Sequence, residues 1–280
     1  MPLLELNELE HMSPLFRGKV GNSLAAGLMN FLSVGRLNEL YDRHSDMNGT
    51  EFSAAVLKDI GVEYSICSAD GTDKSLKDML PSGPFITISN HPYGHLDGVA
   101  LIDAIGKIRP DYKVMVNKIL GRVKTMSDHF IQVVPTGKER TPATAESVAG
   151  IKAALGHLRN HGALGLFPSG AVSDLHLPSF TVSDREWQEP VVRLIAKADV
   201  PIVPLRFCDG NSLLYYSLGL LDWRVRLLRL PAEVFNKREK PFRIIVGPVI
   251  TPEQQASYKS DMSAFRAFLR SAVYDMTMVL

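Results

Sequence analysis

Cysteine is nearly absent from this chain of 280 residues: there are two, Cys67 and Cys208, far apart in sequence. Two thiols build no disulfide framework, and their spacing is not that of a zinc site. Such usage suits a reducing cytoplasm. An excess of one charge is missing as well, with 31 Lys and Arg against 30 Asp and Glu. That balance removes any global pull toward nucleic acid and leaves electrostatic targeting to local patches. No apolar run reaches the ~20 residues that a membrane-spanning helix needs. The opening MPLLELNELEHM carries acids where a signal peptide would carry Lys or Arg. Repeats, low-complexity tracts and linkers are lacking too. A single domain is therefore expected over 1–280, with a helical segment over 1–60 and an α/β core over 61–280.

Apolar residues are plentiful, at 45% of the chain, against 22% charged. That composition belongs to a globular protein with a sizeable core. From about residue 60, seven β-rich runs alternate with helical patterns: Val62–Cys67, Phe85–Ser89, Tyr112–Val116, Phe130–Val134, Ala163–Phe167, Pro201–Phe207 and Phe242–Val246. Several are almost continuously apolar, as strands buried on both faces are. Their connections are mostly too long for hairpins, which favours parallel pairing. The expected fold is α/β: a mainly parallel or mixed sheet of about seven strands flanked by helices.

Helix signals fill the gaps. Thr141-Pro142 marks an N-cap and first turn, Val148, Ile151, Leu155 and Leu158 follow at helical spacing, and Gly162 is the expected stop. Asp97 to Gly106 and Met262 to Val279 read as helices. Ser183 and Glu186 have the spacing of a capping box, with Pro190 as a point where the helix kinks or restarts. Val20 to Gly35 is an uncharged stretch, readable as an interfacial helix or as one packed on the body.

Ser89-Asn-His-Pro-Tyr-Gly-His-Leu-Asp-Gly98 carries the chemistry. It follows a strand and leads into a helix, where ligands of α/β sheets collect. Pro92 and Gly94 turn the chain so that His91 and Asp97 can meet. A His held by a carboxylate is a general-base arrangement, the acid fixing the tautomer and stabilising the imidazolium. From spacing alone, Asp97 could equally cap its helix and His91 could be an ordinary loop histidine. His91, His95 and Asp97 could also be read as metal ligands of a hydrolase, although the other histidines supply no second cluster. A non-enzymatic lipid-binding protein is a further reading.

The segment Asn90-His91-Pro92 through Asp97-Gly98 resembles the His/Asp motif of the glycerolipid acyltransferase superfamily. Five residues separate His from Asp, as in a bacterial branch that is often labelled hemolysin-like. That branch includes lysophospholipid acyltransferases and the O-acyltransferases of ornithine and glycine lipids. Its motif reads Asn-His-Pro-x-Gly-Gly-x-Asp-Gly, and His95 replaces the second glycine. Leu166-Phe-Pro-Ser-Gly-Ala-Val-Ser173 resembles the branch's Phe-Pro-Ala-Gly-Glu block. Val200-Pro-Ile-Val-Pro204, Gly210-Asn-Ser212, Leu227–Pro231 and Asn236–Arg238 resemble later blocks, and Gly35–Tyr41 with Glu51-Phe52 resemble the N-terminal part. The similarity covers roughly residues 33 to 252.

The resemblance implies a fatty-acyl transfer from acyl-CoA or acyl carrier protein to a lipid hydroxyl, with His91 and Asp97 catalytic and no cofactor or metal. It implies Asn90, Gly94, Gly98, Arg140, Phe167, Pro168, Ser169, Gly170 and Ser173 as substrate-binding residues. The partners would be a membrane lipid acceptor, the acyl carrier and the membrane surface, with no nucleic acid. The place would be the inner face of the cytoplasmic membrane, peripherally. One departure is clear: the carboxylates of the family block are Ser169 and Ala171 here. Arg224, Arg226 and Arg229 with Lys237, Arg238 and Lys240 form a candidate basic patch for lipid head groups, coenzyme A phosphates or acyl carrier protein.

Overall fold

The computed structural model describes residues 33–134, 145–177, 179–221 and 223–276. Each of the seven apolar runs forms a strand of one sheet: β1 Tyr64–Ser68, β2 Phe85–Ser89, β3 Lys113–Asn117, β4 Phe130–Val133, β5 Ala163–Leu166, β8 Ile202–Phe207 and β9 Phe242–Val246. Their order is β1-β9-β8-β2-β5-β3-β4. Every neighbouring pair is parallel except β8 with β9, which is antiparallel. The sheet is thus mixed. The segment between β8 and β9 is long enough to carry two helices, and such a connection dictates neither direction. A separate two-stranded ribbon, β6 Asp174–His176 with β7 Thr181–Ser183, was not expected from the sequence. Three-residue strands such as Asp-Leu-His carry no apolar run to betray them.

The helices are α1 Val34–Arg43, α2 Gly49–Ile60, α3 Leu76–Met79, α4 His95–Gly106, α5 Ala145–Arg159, α6 Glu189–Ala198, α7 Leu213–Leu221, α8 Trp223–Phe235, α9 Pro252–Ala256 and α10 Met262–Tyr274. Strand β2 lies at the centre and is buried at all five positions. Its side chains alternate between layers. Phe85 joins Leu101, Tyr112 and Phe242 on the face covered by α2 and α4. Ile86 and Ile88 join Leu164, Trp187, Ile202 and Phe265 on the face covered by α5, α6 and α10. A smaller cluster of Val172, Tyr215, Tyr216 and Leu230, with Leu175 against it, links the ribbon to α7 and α8.

Some local readings need correction. Ser183 ends β7 and starts no helix; α6 begins six residues later, with Pro190 in its first turn, where a missing N–H costs nothing. Gly162 is not the residue that stops α5. His161 takes the left-handed conformation (φ 64°), and Gly162 gives room to the His157 ring, which a Cβ there would meet at 2.3 Å. The C-terminal helix ends at Tyr274. Thr141-Pro142 and all but the last residues of Val20–Gly35 lie outside the described residues.

Candidate active site

Strand β2 delivers the chain to Asn90 at the carboxyl edge of the sheet. The Asn90 Nδ2 donates to Phe207 O at 2.9 Å, and Phe207 N–H donates to Asn90 Oδ1 at 2.8 Å. Asn90, expected to touch substrate, is buried and ties the end of β2 to the end of β8. The next residue, His91, is gripped by its backbone on both sides. Its N–H donates to Asp184 Oδ1 at 3.1 Å, and its carbonyl accepts from Ser173 N–H at 2.9 Å. The Tyr216 hydroxyl donates to Pro92 O at 3.1 Å.

Gly94 turns the chain with φ 77° and ψ −112°, a conformation L side chains rarely adopt. A Cβ there would also press on Val172 at 3.0 Å and Leu230 at 3.2 Å. This turn starts α4 and brings Asp97 back over the loop. Asp97 Oδ2 accepts from the N–H groups of Tyr93 and Gly94, each at 3.0 Å, and lies 2.9 Å from His91 Nδ1. Asp97 thus caps the helix and also faces the histidine. The approach to Nδ1 has the distance but not the alignment of a hydrogen bond. Catalytic pairs often tighten only around substrate.

The Asp97 side chain is fully buried, whereas that of His91 is 18% exposed. Burial pushes the Asp97 carboxyl upward, and His91 with the two backbone N–H groups pulls it back. With Nδ1 turned to Asp97, Nε2 is the ring nitrogen left for a reacting group. The ring lies against Phe167, with centroids 4.2 Å apart. His95, enclosed on most sides yet keeping a strip of surface, is pushed down to about 4 by burial and, secondarily, by His91. It is a neutral neighbour at pH 7. No group of three or more His, Cys, Asp or Glu among the described residues is placed to hold a metal ion.

The block from Phe167 to Ser173 forms the facing wall. Gly170, at φ 61°, closes a turn by donating from its N–H to Phe167 O at 2.9 Å. Gln188 clamps that turn: its N–H donates to Pro168 O (2.9 Å) and its Nε2 to Ser169 O (3.1 Å). The Ser169 hydroxyl donates into its own turn at Ala171 O (2.7 Å), and buried Ser173 donates to Asp184 Oδ1 (2.6 Å). Both hydroxyls, expected to bind substrate, are thus engaged within the wall. The wall brings Phe167 to His91. Gly98 faces open space, with no atom within 4 Å of where a Cβ would sit. Arg140 lies outside the described residues.

Three buried residues escaped sequence reading because their partners are distant in the chain. Asp184 Oδ1 accepts from His91 N–H and the Ser173 hydroxyl, while its Oδ2 accepts from Trp187 Nε1 (3.0 Å). Tyr216 holds Pro92. Arg226, expected in a surface patch, is instead buried. It donates to Val172 O (2.9 Å) and Ser173 O (3.1 Å) and pairs with Asp174. Lys237 is buried too, donating to Gly210 O at 2.6 Å. Two members of the basic cluster read from sequence, Arg226 and Lys237, are therefore internal wiring, whereas Arg238 and Lys240 are exposed.

The chain is 24% identical to a lyso-glycine lipid O-acyltransferase of Bacteroides thetaiotaomicron, over 84% of this chain and 86% of that one. It is also 24% identical to a lyso-glycine lipid O-acyltransferase of Phocaeicola vulgatus, over 89% and 86% respectively. The crystal structure of the 1-acyl-sn-glycerophosphate acyltransferase PlsC of Thermotoga maritima superposes with a TM-score of 0.47 at 12% identity, covering 89% of this chain and 91% of that one. The sequence profile of the Acyltransferase family matches residues 28–277. The chain belongs to the acyltransferase family, and it is an O-acyltransferase of the glycerolipid acyltransferase superfamily.

Proposed function

We propose that this enzyme transfers a fatty-acyl group from a thioester, acyl-CoA or acyl-acyl carrier protein, to the hydroxyl of a monoacylated amino-acid lipid or lysophospholipid. The observation that carries the mechanism is the 2.9 Å approach of His91 Nδ1 to buried Asp97. Nε2 takes the acceptor's hydroxyl proton as the oxygen attacks the thioester carbonyl. Asp97 holds the tautomer and stabilises the imidazolium. The tetrahedral intermediate then breaks its C–S bond, and the departing thiolate receives the proton from His91. No covalent acyl-enzyme and no metal are required.

The names of the two curated relatives favour a lyso-glycine lipid acceptor class. The facing wall supports a departure from carboxylate-based acceptor binding, since Ser169 and Ala171 supply none. No described helix is long and apolar enough to cross a membrane. We place the enzyme peripherally on the inner face of the cytoplasmic membrane, where such acceptors reside.

The test is acyl transfer from labelled acyl-CoA and acyl-acyl carrier protein to a panel of lysolipids and monoacylated amino acids. His91→Ala is expected to remain folded and to lose transfer by about 10³-fold or more. Undiminished transfer by the folded variant would refute the mechanism.

A further inference from the structure

Of the nine large apolar side chains exposed among the described residues, seven sit in one small layer, the β6–β7 ribbon and helices α7 and α8. Phe180, at the ribbon tip, is 79% exposed and Leu213 is 76% exposed; Leu177, Leu214, Leu220 and Leu227 accompany them. The ribbon packs on α7, and α7 packs on α8. Helix α7, Leu-Leu-Tyr-Tyr-Ser-Leu-Gly-Leu-Leu, has no charged residue. Its two tyrosines face inward, and Leu213, Leu214 and Leu220 face outward. Singly scattered apolar residues are normal on a water-facing surface; a concentration of this kind marks an interaction face.

Two ion pairs of this layer are largely withdrawn from solvent: Arg226 with Asp174, which also meets the partly exposed Arg185, and Arg229 with Glu233, which is buried and also accepts from Ser212 N–H and Oγ–H. Charges paired inside and leucines outside are what an apolar surrounding medium selects. Phe180 also holds a left-handed backbone (φ 49°). Beneath the leucines, Val172 and Leu230 touch the position where a Gly94 Cβ would stand, in the loop that carries His91 and Asp97. The apolar face is therefore the outer surface of the active-site wall.

We propose that this face docks on a lipid bilayer, with Phe180, Leu213, Leu214 and Leu220 inserted at the boundary between head groups and acyl chains. The proposal rests on the reading of the acceptor as a membrane lipid. Docking here would bring the catalytic loop to the plane in which that acceptor lies.

The test uses the full chain and sucrose-loaded vesicles of phosphatidylethanolamine and phosphatidylglycerol. Sedimentation is measured for the wild type, for F180E/L213E, and for I119E as a control at an exposed leucine-sized position elsewhere. Wild type and I119E are expected to bind alike, and binding should survive 0.5 M salt because it is apolar (about the Debye regime in which surface charges are silenced). F180E/L213E should bind about tenfold or more weakly per substituted residue. It should unfold at the wild-type temperature and transfer acyl groups normally to a detergent-dispersed acceptor, but poorly to one held in vesicles. Vesicle binding that persists in F180E/L213E assigns docking to another surface, residues 1–32 included, and overturns the proposal. A wild-type dimer that the two substitutions dissociate overturns it as well, in favour of a second copy on this face. Sedimentation needs no turnover, so absent acyl transfer would sink the functional reading and leave this one standing, and the reverse also holds.

Discussion

Asp184→Asn is the most informative single change, because it alters one atom in a buried junction. In the native chain, one carboxylate oxygen accepts from His91 N–H at 3.1 Å and from the Ser173 hydroxyl at 2.6 Å; the other accepts from Trp187 Nε1 at 3.0 Å. An amide supplies only one acceptor oxygen. In the better orientation that oxygen keeps His91 and Ser173, and the new NH₂ meets the Trp187 N–H donor to donor. Two charge-assisted bonds become neutral ones, at about 1 kcal/mol each, and one buried donor loses its partner, at about 1–3 kcal/mol. The sum is about 3–5 kcal/mol of stability, read as a lowered urea midpoint with an unchanged slope. Because His91 is held through its backbone, kcat should fall by about 10–100-fold with KM little changed. Trp187→Phe removes a single donor and should cost less stability and leave kcat nearly intact. The reasoning is refuted if Asp184→Asn matches the wild type in urea midpoint and in kcat to within twofold.

Two further outcomes follow from the loop itself. Gly94→Ala forces an L residue into φ 77°, ψ −112° and presses a methyl on Val172 and Leu230; it should cost about 2–4 kcal/mol in urea unfolding and abolish most activity. His95 has its folded pKa depressed to about 4 from an ordinary 6.5, chiefly by burial. Keeping it neutral contributes stability fully above pH 6.5, which is lost as pH falls from 6.5 through 4. His95→Gln should therefore flatten the decline in melting temperature between pH 7 and 4, by up to about 3 kcal/mol at the acid end; parallel curves for the two proteins would contradict the assignment.

The centre of the sheet was legible because its strands are buried on both faces and so read as nearly continuous apolar runs, as Phe85-Ile-Thr-Ile does in β2. The ribbon was not, since its strands are too short and half-exposed to leave a period. Nor was the β8–β9 direction, which depends on how α7 and α8 route the chain. The His91–Asp97 pair was readable because six positions and one glycine turn bring it together. Asp184, Arg226 and Tyr216 act on the same loop from 93 positions away, on its facing wall from 53, and on the loop again from 124. At such separations a lone Asp or Arg looks like any solvated residue. That is why Arg226 reads as part of a surface patch, and why the joints that Asn90 and Ser173 make leave no mark in the sequence.

Asp97 carries a consequence for the timing of catalysis. Its Oδ2 receives the two backbone N–H groups at the head of α4 as that helix forms. The carboxylate is thus seated before any substrate arrives, and its desolvation belongs to the folding reaction rather than to each turnover. Loss of that carboxylate would strip the helix of its cap at the same stroke as it removed the group that faces His91 Nδ1.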